Sequence, residues 1–203
     1  MAEVIIVPEG GMRRDIRVEA GQRTDLVLAV MPGVSCDVAL DVTLAGEGAE
    51  ANIYGAYICG GEEKVKIGVD MHHDVPHCNS RQLFKGIAGG NSRVDFYGKI
   101  IVAPDAQRTE AYQENHNILL SDDARVDTKP QLEIYADDVK CSHGATIGRL
   151  NEEEQFYMRS RGITLEDAKV LQMISFLAPV LEAIPESERE SIAAHIETSI
   201  RNI

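Results

Sequence analysis

The sequence predicts a mainly β fold over residues 1–150 and a helical segment over residues 151–203. Three observations carry this expectation. From Val4 to about Cys141, short apolar runs succeed one another, each closed by turn-forming residues. No helix-period segment interrupts them. Near residue 150 the spacing of apolar residues switches from two to the three-and-four pattern of helices.

In chain order, the strand-like runs include Val4–Val7, Leu26–Val30, Val38–Leu44, Ala51–Ile58, Val65–Met71, Arg93–Val102, Ala111–Leu120 and Gln131–Tyr135. In Val65–Met71 every second residue is apolar, the mark of a strand buried on one face. Between runs stand Glu47-Gly48, Gly60-Gly61, Gly89-Gly90-Asn91, Pro104-Asp105 and Ser121-Asp122-Asp123. These residues accept positive φ or bond their own backbone, so they turn the chain at little cost. The pattern alone leaves sandwich, barrel and β-helix open, and no repeat of fixed length is visible.

The tail has clear helix punctuation. Asn151 caps a first helix whose opening turn is Glu152-Glu153-Glu154, with Glu154 placed for a capping box. Arg159 and Arg161 fall in its last turn and Gly162 follows, matching the helix dipole at both ends. Thr164 begins a second helix, with Asp167 three residues on and apolar positions Leu165, Ala168, Leu171, Phe176 and Leu177. Pro185 starts a third, with Ile192, Ile196, Ile200 and Ile203 as one stripe. Helices this short must bury their stripes on the β-core, on each other or on a partner.

Composition narrows the function classes. The 203 residues are 44% hydrophobic, 5% aromatic and without Trp, while Gly numbers 17, which favours many short, tightly turning elements in an ordered core. A formal net charge of −13 argues against nucleic acid or an anionic membrane as the partner. No apolar run approaches the length needed to span a bilayer. Glu3 and Pro8 interrupt any signal-peptide core, so a cytoplasmic chain is expected. Its four cysteines, Cys36, Cys59, Cys78 and Cys141, then read as thiols. A Gly-rich phosphate loop ending in Lys-Ser/Thr is absent, which excludes a P-loop ATPase.

Two constellations carry candidate chemistry. Cys141 and His143, two apart at a strand end, point the same way and offer a thiolate and an imidazole to one soft metal or cluster. Two ligands do not complete a cluster site, which takes four. On these residues alone, a buried cysteine beside a hydrogen-bonded histidine is the simpler reading. The second constellation is His72-His73-Asp74-Val75-Pro76-His77-Cys78. Its spacing fits no zinc signature, Pro76 denies the helix that would align His73 with His77, and adjacent His72 and His73 face opposite sides of a strand. Cys78 is the member worth testing as a metal ligand. Cys36 and Cys59 lie in apolar strands and read as small core residues. Asp137-Asp138 reads as a solvated turn before it reads as an acid–base pair.

The block from Pro130 to Gly162, with Lys140-Cys141-Ser142-His143-Gly144-Ala145-Thr146 at its centre, resembles the C-terminal core of the SufB/SufD proteins of iron–sulfur cluster assembly, and the SufD side more closely. Lys85-Gly86, Phe96 through Val102, Ala106-Gln107, Tyr112-Gln113, Leu119 to Asp122 and Ser160-Arg161-Gly162-Ile163 match in the same order. The resemblance implies a right-handed parallel β-helix with helical flanks, in a chain far shorter than typical members. It implies a scaffold subunit and not an enzyme, pairing along the β-helix as a homodimer or with another SufB/SufD-like protein. A SufC-type ABC ATPase would dock on the helical tail between Thr164 and Pro179, where Thr164, Leu165, Ala168, Leu171, Phe176 and Leu177 are the expected contacts. A transient iron–sulfur cluster is the one cofactor implied, near His143, which matches a SufD histidine implicated in cluster formation. Two departures stand out: Ile134 occupies the place of an essential SufB cysteine, and Gly144 that of a SufB glutamate. The rival readings are an assembly partner that binds no cluster and a β-helical carbohydrate-active enzyme, the latter disfavoured by the absence of Trp.

Overall fold

A computed structural model of the chain describes residues 2–203. Its strands are β1 (Glu3–Ile6), β2 (Gly10–Val18), β3 (Arg23–Val30), β4 (Cys36–Leu44), β5 (Glu50–Cys59), β6 (Lys64–His73), β7 (Asn79–Ala88), β8 (Arg93–Val102), β9 (Glu110–Leu119), β10 (Arg125–Ile134) and β11 (Lys140–Gly148). Three helices follow: α1 (Glu152–Ser160), α2 (Leu165–Leu181) and α3 (Glu186–Ile200). Odd-numbered strands form one sheet, ordered β1-β3-β5-β7-β9-β11, and even-numbered strands a second, ordered β10-β8-β6-β4-β2. Each pairing is parallel, and each strand hydrogen-bonds to the one two places along the chain. The chain therefore crosses from sheet to sheet and climbs one strand per circuit, a parallel β-solenoid of about five turns.

The repeat that the sequence hides is present in space. Glu50, Asn79, Glu110 and Lys140 are successive partners at intervals of 29, 31 and 30 residues. Glu3 and Leu26 are only 23 apart, whereas Arg93 and Arg125 are 32 apart. Corners of unequal length absorb the difference, so no fixed period survives in the letters.

The core lies between the sheets. Val38, Leu40 and Val42 of β4 and Val65, Ile67, Val69 and Met71 of β6 alternate inward, meeting Ala51, Ile53 and Tyr57 of β5 and Phe84 of β7. The Phe84 and Phe96 rings tilt together with centroids 4.9 Å apart. Cys36 and Cys59 are buried here as expected; burial pushes their thiols up to about 11 and about 12, so neither is a nucleophile.

A second core lies outside the six-stranded sheet. Val27, Ala29, Ala56, Ile58, Leu83 and Ile87 point outward and are covered by Val170, Met173, Leu177, Val180 and Leu181 of α2 and by Ile196 and Ile200 of α3. The tail helices thus bury their stripes on the solenoid itself, each large apolar side chain contributing about 1.5–3 kcal/mol. Asn151 and Thr164 cap α1 and α2 through their side chains, as the sequence indicates. The Glu154 carboxylate does not close a capping box; it accepts from Gln172 Nε2 at 2.7 Å and so ties α1 to α2. Arg201 reaches back to Asp167 at 2.9 Å, joining the end of α3 to the start of α2.

Candidate functional site at the open end of the solenoid

The last turn, β10 and β11, ends both sheets. β11 pairs only with β9 and β10 only with β8, so each has one free edge. Side chains that would point into the core in any earlier turn here point into an unclosed end. Ile147 is 47% exposed and Ile134 38%. Phe156 and Tyr157 of α1 add two exposed rings.

Cys141 and His143 stand on the inward face of β11, register partners of the buried Ala111 and Gln113 of β9. Period-two parity brings the pair together, as the sequence reading expects, near the beginning of the strand. Cys141 is half-buried and packs against the main core, while His143 is exposed at the open end. Burial pushes the Cys141 thiol up, partly offset by a backbone hydrogen bond from Ala111. In the isolated chain Cys141 is therefore a thiol, and a soft metal would have to displace its proton. Among the described residues no group of three or more His, Cys, Asp or Glu side chains is arranged to hold a metal ion. The pair offers two ligands and needs others from outside the chain to carry a four-ligand cluster.

Cys78 is not part of this site. It is fully buried, its Sγ donates to the Gly46 carbonyl at 3.3 Å, and burial raises its pKa. It precedes Asn79, which lies two strands below Lys140 in register, so roughly 10 Å of solenoid separates it from the open end. The histidines around it scatter as the strand pattern implies. His73 is buried with Nε2 2.8 Å from Ser80 Oγ, His72 faces Asp41 on the outer surface, and His77 occupies a corner at φ 60°.

The expected tail contacts divide into two sets. Ala168 and Leu177 are fully buried against the solenoid and belong to the core, because α2 turns its main apolar stripe inward. Leu171 and Phe176 instead line a groove of about 890 Å³ between α1 and α2, with Tyr157, Met158, Leu150 and Ile118. Thr164 and Leu165 line a smaller groove of about 550 Å³ with Phe156 and Ile163.

The interior beneath the open end is polar, which the sequence reading did not register. Gln113, Asn115 and Asn117 of β9 are all buried. Asn115 Nδ2 donates to Tyr57 Oη at 3.1 Å, Asn117 Nδ2 donates to Asn115 Oδ1 at 2.7 Å, and the Tyr57 hydroxyl donates to Asn117 Oδ1. The signal was parity: these three residues alternate in phase with Ala111 and Leu119.

With this geometry in place, the comparisons are specific. Residues 12–176 match the family model described as "SUF system FeS cluster assembly, SufBD core domain". The chain is 48% identical over 127 residues to the iron–sulfur cluster assembly protein SufD of Escherichia coli, covering 62% of this chain and 30% of that protein. It is 30% identical over 178 residues to a SufBD family protein of Mycobacterium leprae, covering 83% of this chain and 45% of the relative. It is also 39% identical over 143 residues to the chloroplastic protein ABCI7 of Arabidopsis thaliana, covering 70% and 30%. The chain thus spans less than half the length of each of these relatives.

Proposed function

The chain belongs to the SufBD core family of the SUF iron–sulfur cluster assembly system, and from that premise we propose that it is a non-catalytic scaffold subunit working in two directions. Its open solenoid end pairs with a second SufB/SufD-like chain, and its helical tail docks a SufC-type ABC ATPase. The carrying observation is the position of Cys141 and His143, both on the inward face of the terminal turn formed by β10 and β11, which another chain could close. Free edges on β10 and β11 offer backbone groups for strand pairing, and exposed Ile134 and Ile147 offer apolar area. Closure would desolvate the pair and supply the missing ligands, so a nascent cluster, the cargo of the system, would be held only in the assembly.

The groove between α1 and α2 supports the second contact. Leu171 stays 48% exposed while its helix is fixed to the solenoid, so the groove is presented on a rigid platform. No described helix is long and apolar enough to cross a membrane, which suits a cytoplasmic location. A scaffold that binds no cluster is the competing reading, favoured by the half-buried Cys141 and by Ile134.

Co-purification with the SufC-type ATPase of the same source, using Leu171→Asp and Leu177→Asp, tests the tail. Leu171→Asp is expected to keep its circular dichroism spectrum and lose the ATPase; Leu177→Asp is expected to lose the fold of the tail. Retention of the ATPase by Leu171→Asp would remove the groove from the docking surface. Cluster loading of the paired assembly in Cys141→Ser then separates the readings, since unchanged loading means Cys141 only packs.

A further inference from the structure

Inside the six-stranded sheet, Gln82 of β7, Gln113 of β9 and His143 of β11 are successive register partners. Parallel neighbours lie about 4.8 Å apart, so the three side chains form one polar column that rises to the open end. Its lower step is made by one bond: Gln113 Nε2 donates to Gln82 Oε1 at 2.9 Å, while Gln82 Nε2, at the foot of the column, is buried without a partner. Its upper step is not made. Gln113 Oε1 is buried with no partner, in a side chain only 1% exposed. A buried carbonyl oxygen left unpaired loses its hydration with no bond in return, and native interiors rarely leave one so.

Local packing fixes where that oxygen can turn. The Gln113 amide lies across Gly98 of β8, where an added Cβ would stand 2.3 Å from Nε2, so only a residue without a side chain leaves the amide its place. With Nε2 committed to β7, Oε1 of the same planar amide is directed away from β7. The next strand on that side is β11, and the residue in register there is His143. His143 is exposed, so its ring is free to turn.

We propose that Gln113 is the positioning residue for His143: its free Oε1 accepts the ring N–H and completes a Gln82–Gln113–His143 ladder of one polarity. The ladder sets the imidazole tautomer and the ring plane, and turns the second ring nitrogen, lone pair free, toward the open end beside Cys141. This rests on the reading of Cys141 and His143 as the iron-facing pair. It adds that the histidine is prepared for a metal by a buried amide one turn below, before any partner arrives.

Ring ¹⁵N–¹H correlation spectra of the full, metal-free chain test the contact, comparing the parent with Gln113→Leu and Gln113→Glu. The expected result is one dominant His143 tautomer in the parent, a mixture in Gln113→Leu, and one tautomer again in Gln113→Glu, which keeps an acceptor. A mixture in the parent itself, or one ratio in all three proteins, overturns the proposal, and the parent spectrum needs no variant to fold. Substoichiometric ferrous ion, added anaerobically to the same samples, tests the underlying reading. It should broaden His143 first among the six histidines, with about tenfold more iron needed in Gln113→Leu. A single tautomer without that selective broadening overturns the assignment of the pair to iron and leaves the contact standing.

Discussion

The middle of the solenoid and its last turn use the same strand geometry with opposite outcomes. In β5 and β6 the inward residues Ile53, Tyr57, Val69 and Met71 are sealed by turns above and below. In β10 and β11 the inward residues Ile134, His143 and Ile147 have a neighbour on one side only. In a solenoid an interior position becomes a surface position wherever the repeat stops. A cysteine and a histidine in phase with the core therefore mean little in the middle of the stack and a great deal at its end.

The largest effect expected from this contrast is on packing. Phe84→Ala removes a fully buried ring and should cost about 3–5 kcal/mol of unfolding free energy in urea. Ile147→Ala, at the open end, should cost under about 1 kcal/mol in the unpaired chain. An equal loss at Ile147 would mean that the last turn is packed as tightly as the middle, and the contrast would fail.

The contrast also marks how far the sequence could be read. Alternation in Val65–Met71 and the capping at Asn151 and Thr164 follow from local spacing and local hydrogen bonds, and the structure has both. The unbroken apolar run Leu26–Val30 held more than a strand: a strand buried on both faces needs a cover, and α2 and α3 are that cover. Placing Ala168 and Leu177 on a docking face missed this, because a helical stripe does not state what it packs against. The polar letters of β9 gave no cue to their place. Asn115 and Asn117 are core residues because they bond to each other and to Tyr57, some sixty residues earlier, a pairing no local window contains. That Cys141 and His143 share a face, near the end of the β region, was legible from parity and from the switch to helices; that this end is left unclosed was not, since the pattern does not separate a solenoid from a sandwich or barrel.

Acid sharpens the comparison at an intermediate magnitude. His73, sealed at the end of β6, has its pKa lowered to about 4, chiefly by burial and secondarily by His72. The unfolded chain takes up this proton near pH 6.5, so between pH 6.5 and 4 the unfolded state holds more protons than the folded one. Stability must then fall as the pH is lowered through that window, by at most about 3 kcal/mol. Urea midpoints of the parent should show this acid limb, and His73→Leu should flatten it. A limb of unchanged slope in the variant would assign the acid sensitivity to other groups.

The smallest effects come from two glycines in the same sheet, and they test the contrast without removing any contact. Gly86 of β7 faces inward, where an added Cβ would lie 1.8 Å from the Tyr57 ring and 2.6 Å from Asn117 Oδ1. Tyr57 is fixed on all sides and bonded to the two asparagines, so the ring cannot yield without breaking that network. Gly86→Ala should cost about 1–3 kcal/mol. Gly144 of β11 has nothing within 4 Å of the same atom and an ordinary negative-φ strand backbone. Gly144→Ala should gain about 0.5 kcal/mol, because alanine loses less backbone freedom on folding. Opposite signs for one methyl group two turns apart would show that the strand geometry is shared and the surroundings are not. Gly144 stands in register with Glu114 on the outer face of the sheet, so a loss there in the unpaired chain would mean that something already covers that face of β11.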